Sequence, residues 1–167
     1  SDVSQRLNDV MEINSSIREY IGVPATYSFG LGRFRAVAAA GGASYLPEHG
    51  FNPVEIKQML IDGEINAVSA VPSLWRVLLK NKSIFSDEVL NLKWVEIGSQ
   101  YMCRSDKEEL KLLFPNAIIV QHYGLTEASR TTFLRIDQVD GEVLESVGRC
   151  YGQTELKVSS SGHICIR

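Results

Sequence analysis

The stretch Ala117-Ile118-Ile119-Val120-Gln121-His122-Tyr123-Gly124-Leu125-Thr126-Glu127-Ala128-Ser129 decides how this chain is read. An uninterrupted apolar run, bounded by polar residues, predicts a buried strand from Ala117 to Gln121. What leaves its C-terminal end is an aromatic ring, a glycine, a hydroxyl and a carboxylate. In open α/β sheets ligands sit at that end of the strands. A ring stacks on a base, a glycine lets backbone approach a ligand, a threonine hydroxyl bonds a phosphate oxygen, and a carboxylate holds the accompanying magnesium. Together they point to a nucleotide site. The competing reading is a strand followed by a helix start, with Thr126 or Ser129 as N-cap.

Working outward, strands alternate with helices. Val3, Leu7, Val10 and Met11 repeat at helical spacing, with Asp2 as a possible N-cap, and Asn14-Ser15-Ser16 ends that helix. Glu19 to Val23 predicts a strand stopped by Pro24, and Leu31 to Ala40 a helix of small residues ending at Gly41-Gly42. Ala43 to Leu46 is a brief strand. Asn52-Pro53 starts a helix with Asn as cap and Pro in the first turn, its inner face read as Val54, Ile56, Met59, Leu60 and Ile61. Ala67 to Val71 is a strand, and Pro72-Ser73 opens a helix through Leu74, Val77, Leu78 and Leu79. Trp94 to Ile97 is a strand, and Arg104 to Phe114 a helix with Leu110, Leu112 and Leu113 inward. This alternation implies parallel pairing with right-handed crossovers. After Arg130 the pattern turns to short β-rich runs, Thr131 to Ile136, Glu155 to Ser159 and His163 to Arg167, with turn signals at Asp140-Gly141 and Ser160-Ser161-Gly162. The expected fold is therefore α/β: a parallel, flavodoxin-like sheet flanked by helices over residues 1–130, then a short antiparallel β-rich portion over 131–167.

The chain has 167 residues, 44% of them hydrophobic, enough for one domain's core, and a net charge of −3 with acids and bases interspersed. There is no basic stripe for nucleic acid, and no apolar run approaches the ~20 residues of a membrane span. Cys103, Cys150 and Cys165, like His49, His122 and His163, are scattered. The cysteines read as reduced thiols of a cytoplasmic protein without structural zinc.

The run Tyr123-Gly124-Leu125-Thr126-Glu127-Ala128-Ser129 resembles the signature of the AMP-forming adenylating enzymes, which include acyl-CoA synthetases, luciferase-like ligases and peptide-synthetase adenylation domains. Other stretches agree in order. Pro24-Ala25-Thr26-Tyr27-Ser28-Phe29-Gly30-Leu31 resembles a Pro-x-x-His-x-x-Gly segment, with Tyr27 in place of histidine. Val71-Pro72-Ser73 resembles a Val-Pro-Thr helix start. Glu96-Ile97-Gly98-Ser99-Gln100 stands where the family has a glycine turn, with Gln100 and Tyr101 replacing its small residue and proline. Val147-Gly148-Arg149 and Gly162-His163-Ile164-Cys165-Ile166-Arg167 resemble late segments, with His163 replacing a glutamate.

The resemblance implies an ATP-dependent, AMP-forming ligase that activates a small carboxylic acid as acyl-adenylate, with coenzyme A as the expected acceptor. It implies roles for Gly98, Ser99 and Gln100 as a wall against adenine, Tyr123 as its stacking platform, and His122, Gly124 and Leu125 beside it. Thr126 would bond the α-phosphate and Glu127 would ligate Mg2+. Tyr27, Phe29, Ser73 and His122 would line the acyl pocket. Such enzymes are much longer, with a phosphate-gripping loop expected before Ser1 and a ribose-binding aspartate and a mobile lysine expected after Arg167. The chain is therefore expected to be a fragment, inactive without the missing remainder. The alternative is a non-catalytic binding or interaction module of the same fold. A different nucleotide-binding α/β protein would not be expected to carry the complete Tyr-Gly-x-Thr-Glu run.

Overall fold

The computed structural model describes residues 2–167, apart from the side chain of Asp2; the N-cap assigned to that side chain lies outside the described residues. The elements are α1 (Asp2–Met11), β1 (Arg18–Ile21), α2 (Ser28–Ala39), β2 (Ala43–Tyr45), α3 (Pro53–Ile61), β3 (Ala67–Ala70), α4 (Pro72–Lys80), β4 (Trp94–Ile97), α5 (Arg104–Leu113), β5 (Ile118–Tyr123), β6 (Thr132–Arg135), β7 (Arg149–Cys150), β8 (Leu156–Val158) and β9 (Ile164–Ile166). Seven strands form one sheet in the order β2-β1-β3-β4-β5-β6-β7, and β8-β9 form a separate antiparallel pair. The first five strands are parallel, and their 2-1-3-4-5 order is that of a flavodoxin-like doubly wound sheet.

Strand alternation sorts the side chains into two cores. Tyr20, Val68, Val95, Ile97, Ile119 and Leu134 face the side covered by α3, α4 and α5. Ala67, Trp94, Val120 and Phe133 face α1 and α2, against Leu7, Met11, Ala36 and Val37. The strands read from apolar runs are thus buried on both faces, as parallel strands under two helical layers must be.

Helix signals hold where capping chemistry is explicit. The Asn52 side chain accepts from Val54 N at 3.0 Å and Glu55 N at 3.4 Å, with Pro53 in the first turn. Trp75 is wholly buried, and its indole N–H donates to Ala70 O at 3.0 Å and Glu96 O at 3.1 Å, tying the ends of β3 and β4. Four residues assigned inward are instead exposed: Val54, Ile61, Val77 and Leu112, the last 82% exposed. In α5 the inward stripe runs through Lys107 and Leu110, and Leu112, two residues further, lies about 200° round the helix. Lys107 is buried because its ammonium caps a 3-10 turn, donating to Leu144 O and, at 3.1 Å, to Ser146 O. One turn on, Lys111 donates to Val139 O at 2.7 Å and Asp140 at 2.6 Å. Two lysines of one helix face therefore anchor the long connection between β6 and β7.

The turn to antiparallel pairing after Arg130 occurs as expected, but β6 and β7 extend the main sheet from β5 rather than opening a new one. The reason is register: Tyr123 pairs with Thr132 and Val120 with Arg135, so the chain doubles straight back on β5. Among the described residues no helix is long and apolar enough to cross a membrane.

Candidate functional site

Parallel strands bring the C-terminal ends of β1, β4 and β5 to one edge, and a cavity of about 240 Å³ opens there. It is lined by Ser28 and Phe29 at the start of α2, Ser99 after β4, and His122, Gly124, Leu125, Thr126, Ser129 and Arg130 from β5 and its loop. Of the residues singled out in sequence, the cavity gathers Phe29, Ser99, His122, Gly124, Leu125 and Thr126. Gly98 is buried directly beneath: a Cβ there would stand 2.1 Å from His122 Cε1, so the imidazole occupies the space a side chain would need.

The others stand outside the lining. Tyr123 is next in β5 to His122, and strand alternation turns it to the opposite face of the sheet. Glu127 and Gln100 are exposed beside the cavity, and Ser73 is exposed at the start of α4. Tyr27 is 68% exposed at the N-cap of α2 and makes no side-chain cap bond. The anticipated ring, hydroxyl and carboxylate thus leave one strand end, but only Thr126 of the three lines the cavity.

Neither Thr126 nor Ser129 caps a helix, because no helix follows. Residues 124–131 form a compact hairpin loop: Leu125 and Ala128 exchange backbone hydrogen bonds at 3.1 and 3.2 Å, and Thr131 N donates to Tyr123 O at 2.8 Å. A Cβ on Gly124 would sit 2.4 Å from Arg130 N, so the loop closes only with glycine there. Arg130 has φ +55° and Ser99 φ +76°. Left-handed backbone in non-glycine residues is strained and gathers at ligand sites; two of the three such residues among those described line this cavity.

Behind the cavity, under α2, lies a buried charge network that sequence reading missed. The Arg33 guanidinium grips Glu19 with two bonds, Nε to Oε1 at 2.9 Å and Nη2 to Oε2 at 3.1 Å. Its Nε is also 2.9 Å from Glu96 Oε2, and its Cζ lies 4.5 Å over the Trp94 ring. Arg130 Nε donates to Glu96 Oε1 at 3.2 Å and its Nη2 to Phe29 O at 3.2 Å. His122 Nδ1 stands 2.8 Å from Glu96 Oε1. Glu19, Arg33 and Glu96 are fully buried. Burial alone lifts Glu96, but Arg33, Arg130 and His122 together outweigh it and hold the carboxyl well below its usual range. Burial lifts Glu19 above its ordinary value, with Arg33 opposing. Burial pushes His122 down, against the pull of Glu96, so the ring is neutral at pH 7. The signal was present: a carboxylate inside Trp94-Val95-Glu96-Ile97 and another in Glu19-Tyr20-Ile21 must find buried cations.

The sequence profile described as AMP-binding enzyme matches residues 6–165. The chain belongs to that family. Acyl-CoA synthetase 7 of Caenorhabditis elegans is 35% identical over 102 residues, covering 60% of this chain and 18% of that protein. 4-Coumarate–CoA ligase 3 of Arabidopsis thaliana is 23% identical over 159 residues, covering 87% of this chain and 28% of that protein. A solved malonyl-CoA ligase complex with methylmalonyl-CoA and AMP superposes with a TM-score of 0.81 at 18% identity, over 99% of this chain and 38% of that one. O-succinylbenzoate coenzyme A synthetase of Bacillus subtilis, solved with ATP and magnesium, gives 0.77 at 22% identity, over 98% and 33%. At those identities the likeness is one of fold. The chain spans less than a third of these curated relatives' length.

Proposed function

We propose that this AMP-binding chain is part of an ATP-dependent ligase that activates a small carboxylic acid as an acyl-adenylate and passes the acyl group to coenzyme A. The reading rests on one observation: the strand-end cavity is built from the segments that carry the family resemblance, the glycine turn after β4 and the Tyr-Gly-Leu-Thr loop after β5. The names of the two curated relatives described above support it, one a CoA synthetase and one a CoA ligase.

In this reading Gly98, Ser99 and Gln100 form the wall beside adenine, Tyr123, outside the lining on the other face of β5, stacks on it, and Thr126 donates its hydroxyl to the α-phosphate. The hydroxyls of Ser99, Thr126 and Ser129 and the Arg130 guanidinium make the cavity lining suited to a polar, anionic ligand. Phe29 and His122 form the acyl side, and Tyr27 and Ser73, both outside the lining, are left to contacts with a larger ligand. Among the described residues no group of three or more His, Cys, Asp or Glu could hold a metal. A lone exposed Glu127 fits magnesium of the kind held mainly by phosphates and water. Bound there, the ion would supply charge neutralisation at the phosphates. The chain's own residues contribute positioning and hydrogen bonds. Within residues 131–167 we take the β8–β9 pair as the start of a further β-rich portion, and we take the whole chain as a fragment of a cytoplasmic protein.

The test is ATP–pyrophosphate exchange by the full-length protein carrying this segment, across a panel of carboxylic acids. Acid-dependent exchange that falls about 10- to 100-fold in Thr126→Ala, the loss of one charge-assisted hydrogen bond, is expected. ATP binding with no exchange for any acid would replace the ligase by the binding-module alternative.

A further inference from the structure

His122 sits where the cavity meets the buried charge network, and its two ring nitrogens have different fates. Nδ1 is buried 2.8 Å from Glu96 Oε1, a close approach that lacks the in-line geometry of a hydrogen bond. Among the described residues no group hydrogen-bonds Nε2, and the ring lines the cavity while the residue is only 8% exposed. The ring is held on its other sides too. Gly98 closes one flank, and Phe29 stacks edge-on, with centroids 4.9 Å apart and planes at 80°.

We infer that Glu96 locks His122 as the Nδ1–H tautomer, so that Nε2 is a fixed lone-pair acceptor for an N–H or O–H of the ligand. The argument is electrostatic. Glu96 is ionised, held by Arg33 and Arg130. At 2.8 Å an ionised carboxylate repels a lone pair on Nδ1 and attracts a proton there, so Nδ1 carries the proton. A second proton on Nε2 would add a cation beside two guanidiniums already matched by two carboxylates. The neutral ring then has its lone pair on Nε2. Glu96 is a positioning residue here, and His122 selects its ligand. An acceptor opening on the cavity and covered by a ligand that offers no donor is left unpaired, which disfavours such ligands.

This rests on the cavity being the ligand site, and the donor belongs either to a hydroxyl or amino substituent on the acid or to the 6-amino group of adenine. The first measurement needs no activity: histidine-selective 13C/15N NMR of the full-length protein, with His122→Ala to assign the signal. A protonated Nδ1 and a bare Nε2 at pH 7 are expected, with Glu96→Gln admitting the Nε2–H tautomer. An Nε2–H tautomer or a doubly protonated ring in the native protein overturns the inference. The second measurement compares kcat/KM in exchange for acid pairs differing by one donor, and for ATP against its purine analogue lacking the 6-amino group. A preference of about tenfold or more for the donor-bearing member, collapsing towards unity in His122→Ala, is expected on one of the two comparisons and names the source. Preferences that survive His122→Ala on both comparisons refute it. Absence of exchange with every acid would count against the ligase reading, while the NMR result still decides the tautomer.

Discussion

Replacing Arg33 by methionine removes the cation between Glu19 and Glu96 while keeping a side chain of similar length against Met11 and Trp94. The two carboxylates are not left equally stranded. Glu96 keeps Arg130 at 3.2 Å and His122 at 2.8 Å, whereas Arg33 is the only cation in ion-pair contact with Glu19 among the described residues. The cost therefore falls on Glu19. Breaking a buried pair by removing one partner costs about 3–5 kcal/mol. Protonation caps it: holding a carboxyl of ordinary value 4.5 as the neutral acid at pH 7 takes about 3.4 kcal/mol. The sign follows from linkage. In the variant the folded-state value of Glu19 lies far above the unfolded one, so the folded state binds the extra proton and stability rises as pH falls. The loss should shrink as pH falls, by at most about 1.4 kcal/mol per pH unit, since Glu19 in the native protein already sits above its ordinary value. Urea unfolding of the full-length protein at pH 7, 6 and 5, with unchanged slope on denaturant, measures this. Arg33→Met combined with Glu19→Gln should recover most of the loss and flatten the pH dependence. A loss independent of pH, or a double variant no better than the single one, would refute the assignment of the cost to Glu19.

Three further outcomes are expected. Gly98→Ala drives a methyl into the His122 ring; overpacking of this kind costs about 1–3 kcal/mol in urea unfolding, and it should also displace His122 and lower exchange activity. Asn52→Ala removes the cap of α3 and should cost about 1 kcal/mol with exchange kinetics unchanged, since the cap lies away from the cavity. Glu127→Ala should depress exchange more than Tyr27→Phe and raise the magnesium concentration needed for half-maximal rate; equal losses would remove Glu127 from the metal role.

The fold was legible where chemistry was local. The Ala117–Val120 run, the Asn52-Pro53 cap and the regular helix–strand alternation each specify an element without reference to the rest of the chain, and together they imply the parallel sheet. Helix faces were less legible. In α3, α4 and α5 several large apolar residues point to water, while Lys107 is buried because it reaches carbonyls 37 and 39 residues away in sequence. Composition alone cannot distinguish an inward lysine from a solvated one; only the tertiary partner does. The cavity lining was half legible. Motif spacing located Ser99, His122, Gly124 and Thr126; Tyr123 turns away because it is one place from His122 in β5, and the position of Glu127 depends on how the loop closes through backbone bonds between Leu125 and Ala128. Arg130 was overlooked because it sits just past the motif, where an arginine is ordinarily a surface residue.

The missed residues explain why the recognisable ones sit where they do. Arg130 reaches from the motif loop to Glu96 on β4 and to the Phe29 carbonyl on α2, so one guanidinium joins the segments that wall the cavity. Glu96 in turn reaches His122 on β5 and Arg33 on α2. A hydrophobic core of equal volume would hold these elements at least as firmly, since buried ion pairs rarely win on stability. What an apolar core cannot do is fix the azimuth of an imidazole at the cavity floor or hold a non-glycine residue at φ +55° in the loop above it. Both demand directional partners, and the network supplies them from behind, out of contact with solvent. The strained backbone at Ser99 and Arg130 is thus the outward sign of a site whose precision is set on the buried side of the sheet.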